Sequence, residues 1–186
     1  MANNATYSVP YRRKRDGKTD YKKRMKLLLG RKTRLVVRRS SKHFSVQLVE
    51  FHVKGDKIVC SAHSKELVKY GWKGSTSNSS AAYLTGLLAG SRAKAAKVET
   101  AILDIGLQPS TKGSRLYAAA KGILDSGIKM KVSENVFPAA ERISGAHIAK
   151  WAGEVKNKNF FSAYKVQAKD LPKHFEEVRQ KILGAK

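Results

Sequence analysis

Residues 33–62 read TRLVVRRSSKHFSVQLVEFHVKGDKIVCSA and decide the fold. Apolar and polar residues alternate along three runs that are rich in β-branched side chains, a pattern typical of strands with one buried face. Short polar connections at residues 40–42 and 54–56 separate the runs. Because such short connections join antiparallel neighbours, the sequence predicts a three-stranded meander. The predicted strands are residues 33–39, 44–53 and 57–62.

Downstream of the meander, helical and extended patterns alternate. Helices are predicted at residues 64–70, 77–97 and 111–127, with a buried strand at 100–106 and a short last strand at 128–132. Helices that alternate with strands cover the faces of a sheet. The predicted fold class is therefore α/β, with a mixed five-stranded sheet covered by helices. The inner stripe expected for the longest helix comprises Tyr83, Leu84, Leu87, Leu88 and Ala95.

A strongly basic arm precedes the meander. The first 39 residues hold 14 Lys or Arg against Asp16 and Asp20, which gives +12 of the whole chain's +24. Such a segment repels itself and has little apolar surface to bury, so we expect a polyanion to neutralise it. Within the arm, residues 20–29 predict a short basic helix. Its predicted apolar face comprises Tyr21, Met25, Leu28 and Leu29.

We expect three parts in the chain. Residues 1–32 form a basic RNA-binding extension, residues 33–150 form the α/β body, and residues 151–186 form a C-terminal extension that ends in a helix. The final helix must lie on the body or on a partner, because it carries an apolar stripe at helical spacing. That stripe comprises Leu171, Phe175, Val178 and Ile182.

The charge of the whole chain narrows the classes of partner. A net charge of +24 favours a nucleic acid or an anionic membrane surface. The cationic helix at residues 20–29 keeps the membrane alternative open. No apolar run approaches the roughly 18 residues of a membrane span, and no secretory signal is evident. We therefore expect an intracellular protein, in which the single Cys60 forms no intramolecular disulfide.

No motif in the sequence points to catalysis or to a cofactor. Cys60 and His63 have metal-ligand spacing, but positions i and i+3 of a strand face opposite ways. The loop at residues 106–114 joins a strand to a helix and can offer groups to a phosphate, yet it lacks the phosphate-loop signature. A metal-dependent nuclease would need more carboxylates around Asp104. We expect Asp104 instead to bond to backbone or to pair with a Lys or Arg.

Several blocks carry a family resemblance, in fixed order over residues 7–150. They include PYRRKRDGKTDYKKRMKLLLGRKTRLVVRRS, SAHSKELVKYGW, AAYLTGLLAG, AILDIG, TKGSRLYAAAKGILDSG and FPAAERISGAHIA. This order resembles large-subunit ribosomal protein L-eighteen in its archaeal and eukaryotic form. One block departs from the family, since Ala146 stands where the family has Glu.

The resemblance implies a structural, non-enzymatic RNA-binding protein of the cytoplasmic large ribosomal subunit. It implies binding to 5S rRNA in the central protuberance, contact with large-subunit rRNA, and neighbouring ribosomal proteins that include L-five. It also implies a ribonuclease H-like topology without that enzyme's carboxylates. The family's RNA contacts lie mostly in the basic N-terminal region, here residues 7–39.

The candidate RNA-binding residues combine cations for phosphates with aromatic rings for unstacked bases. Tyr7, Tyr11 and Trp72 are the expected stacking residues, while Arg34, Arg38 and Arg39 extend the basic surface onto the first strand. The full candidate set is Tyr7, Tyr11, Arg12, Arg13, Lys14, Arg15, Lys18, Thr19, Tyr21, Lys22, Arg24, Lys26, Arg31, Lys32, Arg34, Arg38, Arg39, Lys42, Trp72, Lys112 and Arg115.

Overall fold

The computed structural model describes residues 5–155, 161, 164 and 166–184. Its strands are β1 (Arg34–Arg39), β2 (Phe44–Glu50), β3 (Lys57–His63) and β4 (Ile102–Asp104). Its α-helices are α1 (Arg12–Arg15), α2 (Tyr21–Leu29), α3 (Ser79–Ala95), α4 (Arg115–Asp125), α5 (Ala140–Ser144), α6 (Ala146–Glu154) and α7 (Leu171–Gly184). Short 3-10 helices cover Ser64–Tyr70, Glu134–Val136 and Ala168–Asp170.

The predicted meander is confirmed. The sheet has the order β3-β2-β1-β4, with β1, β2 and β3 antiparallel and β4 parallel to β1. Strand β2 is shorter than predicted and ends at Glu50, so residues 51–56 leave the sheet as a longer connection. Alternate residues of β1 point to opposite faces of the sheet. Leu35 and Val37 are fully buried on the face that the helices cover.

Helices α3 and α4 cover that inner face. The predicted residues Tyr83, Leu84, Leu87 and Leu88 are buried, whereas Ala95 is exposed at the end of α3. The two helices approach closely, since a Cβ atom at Gly86 would collide with the backbone carbonyl of Ala119. The helical pattern therefore finds the core, and glycine sets the distance between the helices.

The predicted fifth strand is wrong. Ile128 is buried, but the segment makes one isolated parallel bridge, between Thr100 and Lys129. The backbone N–H of Val132 then donates to the carbonyl of Met130, and the chain turns into a 3-10 helix instead of extending a ladder. The sheet is thus mixed and four-stranded, and the ribonuclease H-like topology is not confirmed. Alternation over so few residues indicated burial, not strand pairing.

The C-terminal helix α7 lies on the body. All four residues of its predicted stripe are buried, and the ring of Phe175 lies 5.6 Å from that of Tyr83 in α3. The side chain of His174 stacks on Trp72 at 5.3 Å. Within the predicted C-terminal extension, residues 156–160, 162, 163, 165, 185 and 186 lie outside the described part of the chain.

Candidate nucleic-acid interface

The arm begins with a short basic helix that makes little contact with the body. Residues 12–15 form α1, none of whose residues is buried. The Nε–H of Arg13 donates to Oγ1 of Thr19 at 2.9 Å, which folds the segment back on itself. The rings of Tyr11 and Tyr21 lie 5.0 Å apart, so two of the predicted aromatic residues contact each other.

Helix α2 lies across the sheet face that the other helices leave open. Asp20 caps it by accepting a hydrogen bond from the backbone N–H of Lys23 at 3.1 Å. Met25 is 61% and Leu29 is 75% exposed, so these two residues of the predicted apolar face do not dock on the body. The helix instead turns Lys23 and Arg24 inward, since both find acceptors on the body.

A chain of five charged side chains fastens α2 to the sheet. We call it the ion chain; it comprises Arg24, Asp56, Arg34, Asp104 and Arg38. Arg24 donates to both Asp56 oxygens at 2.8 Å, and Arg34 reaches Asp56 at 2.7 Å and Asp104 at 3.1 Å. Arg38 completes it with a 3.1 Å contact to Asp104. The ion chain connects the arm helix, the β2–β3 connection, β1 and β4.

Both carboxylates of the ion chain accept hydrogen bonds from several donors. Burial opposes ionisation of Asp56, but hydrogen bonds from Arg24 and Arg34 outweigh it and lower the pKa of that carboxyl. Asp104 also accepts a hydrogen bond from the backbone N–H of Gly106 at 2.8 Å. The prediction that Asp104 bonds to backbone or pairs with a Lys or Arg is confirmed, and Asp104 does both.

Most of the predicted cations outside the ion chain point to solvent. On the arm they are concentrated in α1 and on the outer side of α2, and further ones follow at both ends of β1. The structure places their charges where a large anion can reach them, while their binding to RNA stays a prediction. The exposed cations of the candidate set are Arg12, Arg13, Lys14, Arg15, Lys18, Lys22, Lys26, Arg31, Lys32, Arg39, Lys42 and Lys112.

Three predicted residues have structural roles instead. Trp72 is 2% exposed, its Nε1–H donates to the carbonyl of Ser75, and its ring stacks on His174, so no face is left for a base. Arg34 is 3% exposed and belongs to the ion chain. Arg115 is half-buried and donates to the carbonyl of Ser77. The sequence alone does not predict these structural roles, because the residues that these three side chains contact lie far away along the chain or in an unpredicted turn.

Sequence reasoning missed Lys23, Asp56 and Phe51. The ammonium of Lys23 donates to the carbonyl of Gly106 at 2.9 Å across the open sheet face. Asp56 was interpreted only as a turn residue. The chain has 14 Asp or Glu and 38 Lys or Arg, so the scarcity of acids was a signal that this one pairs with a cation. Phe51 read as a strand residue, yet it lies beyond β2 and is 54% exposed.

The residues considered for metal binding serve the fold. The Sγ of Cys60 lies 3.8 Å from the carbonyl oxygen of Ala89, and burial raises the pKa of its thiol. His63 caps the following 3-10 helix by accepting from the backbone N–H of Lys65. No cluster of three or more His, Cys, Asp or Glu suited to a metal occurs among the residues that the structure describes.

Within the described ranges, none of the helices is both long and apolar enough to cross a bilayer.

Residues 5–100 match the family model described as ribosomal large subunit proteins 60S L5, and 50S L18. The chain belongs to this family. The L-eighteen resemblance is confirmed, and the match covers the arm, the meander and α3. Membership makes the chain a ribonucleoprotein component of the large ribosomal subunit, with a structural part in translation; rRNA binding follows from the family.

Proposed function

We propose that this protein binds 5S rRNA and helps to attach it to the large-subunit rRNA in the central protuberance, beside ribosomal proteins that include L-five. The observation that carries the proposal is the exposed basic arm, which the ion chain holds in one orientation on an otherwise uncovered sheet face. Family membership indicates only the large subunit and rRNA binding. The proposal adds which rRNA is bound, where in the subunit, and beside which proteins.

Phosphate neutralisation supplies the binding energy. The cations of α1 and the outer side of α2 are exposed and lie within a few residues of one another. When such cations contact RNA phosphates, condensed counterions are released, and the logarithm of the binding constant falls linearly with the logarithm of the salt concentration. Affinity is therefore expected to depend steeply on ionic strength.

Aromatic side chains of the arm add contacts with bases. Tyr7 is 53% and Tyr11 is 71% exposed, so each offers ring area beside several guanidinium groups. Sequence-specific RNA recognition uses unstacked bases that lie on such rings and on Arg planes. Trp72 has no part in this step, because its ring is buried.

The body gives these groups a fixed direction. Without its attachment, a nine-residue helix such as α2 would be marginally stable in water. The ion chain and the Lys23 contact dock it on the sheet before RNA arrives. Less conformational entropy is then lost on binding, which raises affinity.

Replacing the four cations of α1 with glutamine tests the proposal. The variant is R12Q/R13Q/K14Q/R15Q, and the measurement is a filter-binding titration of 5S rRNA over a salt series. We expect weaker binding and a slope against log salt that is smaller by roughly three units, since each lost phosphate contact removes roughly 0.7–0.9. Transfer RNA and anionic vesicles serve as competing targets.

A matched control removes the same charge from the body and the C-terminal region. Lys94, Lys131, Lys150 and Lys173 are all exposed, so their quadruple glutamine variant changes the net charge equally. If both variants lose the same affinity, or if transfer RNA or vesicles bind as well as 5S rRNA, the protein is a general polycation binder and the proposal fails.

A further inference from the structure

A cleft of about 620 Å³ separates the arm from the open face of the sheet. Its floor includes Val36 and Gln47 of β1 and β2, and its walls include Lys23 of α2 and Phe51 beyond β2. The volume lies within the roughly 300–1,000 Å³ that ligand sites usually have. The cleft is thus large enough for one nucleotide. RNA that contacted only the cations of the arm through its phosphates would leave this cleft empty.

The lining of the cleft combines cations with exposed apolar surface. Six of its residues are Lys or Arg and three are Asp, so positive charge is in excess. Phe51 is 54%, Val53 93%, Ile58 52% and Leu107 55% exposed, and all four line this cleft. Rings and apolar groups beside cations are the surface on which unstacked bases lie, because a base is flat and apolar on its faces while its phosphate is charged.

One buried donor at the cleft has no partner. The Arg34 side chain is 3% exposed, and its two terminal nitrogens bond to Asp56 and Asp104. Its Nε–H finds no acceptor among the described residues, although Arg34 lines the cleft. A buried donor without an acceptor is unfavourable, because it has lost its hydrogen bonds to water. An acceptor atom that enters the cleft would supply the missing hydrogen bond.

The acids of the cleft are already engaged, which argues against a cation as its occupant. Asp56 and Asp104 each contact two guanidinium groups, and Asp20 caps α2. Their charge is neutralised within the protein, and the remaining cations at the cleft, such as Arg13 and Lys18, face solvent. The occupant must therefore carry negative charge at the mouth and hydrogen-bond acceptors and flat apolar surface inside.

We propose that the cleft takes up one unstacked nucleotide of the bound RNA. The base lies against Phe51, an acceptor of the nucleotide receives the Arg34 Nε–H bond, and the phosphate stays near Arg13 and Lys18 at the mouth. This inference rests on the proposed function, because it concerns the same RNA. It adds a base-binding site on the sheet to the phosphate contacts of the arm.

Ultraviolet cross-linking to 5S rRNA followed by nuclease and trypsin locates the base directly. Trypsin releases residues 43–54, HFSVQLVEFHVK, as one peptide that contains Phe51. We expect this peptide of the full-length protein to carry a cross-linked nucleotide. RNA cross-linked only to arm peptides would overturn the cleft proposal and leave phosphate binding by the arm intact.

Substitutions at Phe51 give the second measurement. Phe51→Ala is expected to weaken 5S rRNA binding roughly tenfold, which is the usual scale of one stacked base, with an unchanged salt slope because no charge is lost. Phe51→Tyr keeps the ring and should bind like the wild type. Thermal melts check that both variants fold, as expected for a side chain that is more than half exposed.

Val68→Ala is the matched control, since Val68 is 58% exposed and lies outside the cleft lining. It should leave binding unchanged. The proposal is overturned if Phe51→Ala binds like the wild type, if Phe51→Tyr loses as much as Phe51→Ala, or if Val68→Ala loses as much as either. The glutamine variant of α1 tests the arm separately, so the two failures can be told apart.

Discussion

Helices α2 and α3 start alike and end up in different surroundings. Each is capped by a side-chain oxygen, Asp20 accepting from the N–H of Lys23 at 3.1 Å and Asn78 from the N–H of Ala81 at 2.7 Å. Helix α3 then buries residues 79–90 without interruption, whereas α2 buries none of its residues. Local capping makes both segments helical, but different forces attach them to the sheet.

The difference separates a permanent attachment from one that RNA can compete for. Apolar contacts hold α3, and neither salt nor a polyanion replaces them in water. Charged contacts that are partly exposed hold α2, since the side chains of Arg24 and Asp56 are 30% and 28% exposed. Such pairs contribute about 0–1 kcal/mol each and weaken with salt. An RNA phosphate can therefore compete for the cations that attach α2 without breaking the apolar contacts of the core.

The largest effect is expected from crowding α3. Gly86→Ala places a Cβ against the backbone carbonyl of Ala119 in α4. Backbone cannot move aside as a flexible side chain can, so we expect a loss of about 3 kcal/mol in the free energy of unfolding, the upper part of the usual range for overpacking. Urea denaturation followed by circular dichroism measures it.

Gly153→Ala is the matched control in another helix. Gly153 is exposed, and an added Cβ would meet only the end of the Lys169 side chain at 4.0 Å. Alanine then stabilises the helix by about 0.5–1 kcal/mol. Equal and small effects at both positions would contradict the close packing of α3 on α4.

The same contrast explains how much of the fold was predictable. The strands of the meander and the buried stripes of α3 and α7 follow from residue periodicity, because apolar contact needs only the right side chains on one face. The fifth strand was wrong because Ile128 is buried without joining a ladder. Periodicity reports burial and does not report hydrogen-bond pairing.

The candidate interface was predictable in composition and less so in geometry. The basic arm and its short helix α2 follow from local sequence. The docked face of α2 does not, because Asp56 pairs with Arg24 across 32 residues and Lys23 bonds to Gly106 across 83. Contacts between distant charges leave no periodic pattern. Met25 and Leu29 of the predicted apolar face of α2 remain exposed on this chain.

A smaller effect is expected when the ion chain is cut at Asp56. Asp56→Asn removes the carboxylate that joins Arg24 to Arg34, so the arm should be released and trypsin should cleave within α2 faster. We expect 5S rRNA binding to weaken by up to about fivefold, equivalent to about 1 kcal/mol for a partly exposed pair. Limited proteolysis and filter binding measure the two effects.

Asp16→Asn provides the control, since Asp16 contacts only Lys18 within the arm at 3.5 Å among the described ion pairs. Both substitutions add one positive charge. Charge alone predicts equally tighter binding for both, whereas docking of the arm predicts weaker binding for Asp56→Asn only. Tighter binding by both variants would show that arm orientation has no part in affinity.

The smallest effect is expected on acidification. Burial acts to raise the pKa of Asp56, but the bonds from Arg24 and Arg34 prevail and hold it below the ordinary 3.8. A depressed pKa in the folded state means that the stabilisation is present above pH 3.8 and is lost as pH falls through the folded-state pKa. Helix α2 should then detach below pH 3.8, which amide NMR shifts report.

Helix α3 supplies the internal reference for this titration. Its Arg92 pairs with Glu66, whose pKa is also lowered because bonds from Arg92 and from the His63 N–H outweigh burial. Protonation of Glu66 removes that pair in the same pH range, yet the apolar contacts of α3 remain. The amides of α2 should therefore shift before those of α3, and Asp56→Asn should abolish the early change. Simultaneous release of both helices would mean that the arm is held by the same apolar forces as the core.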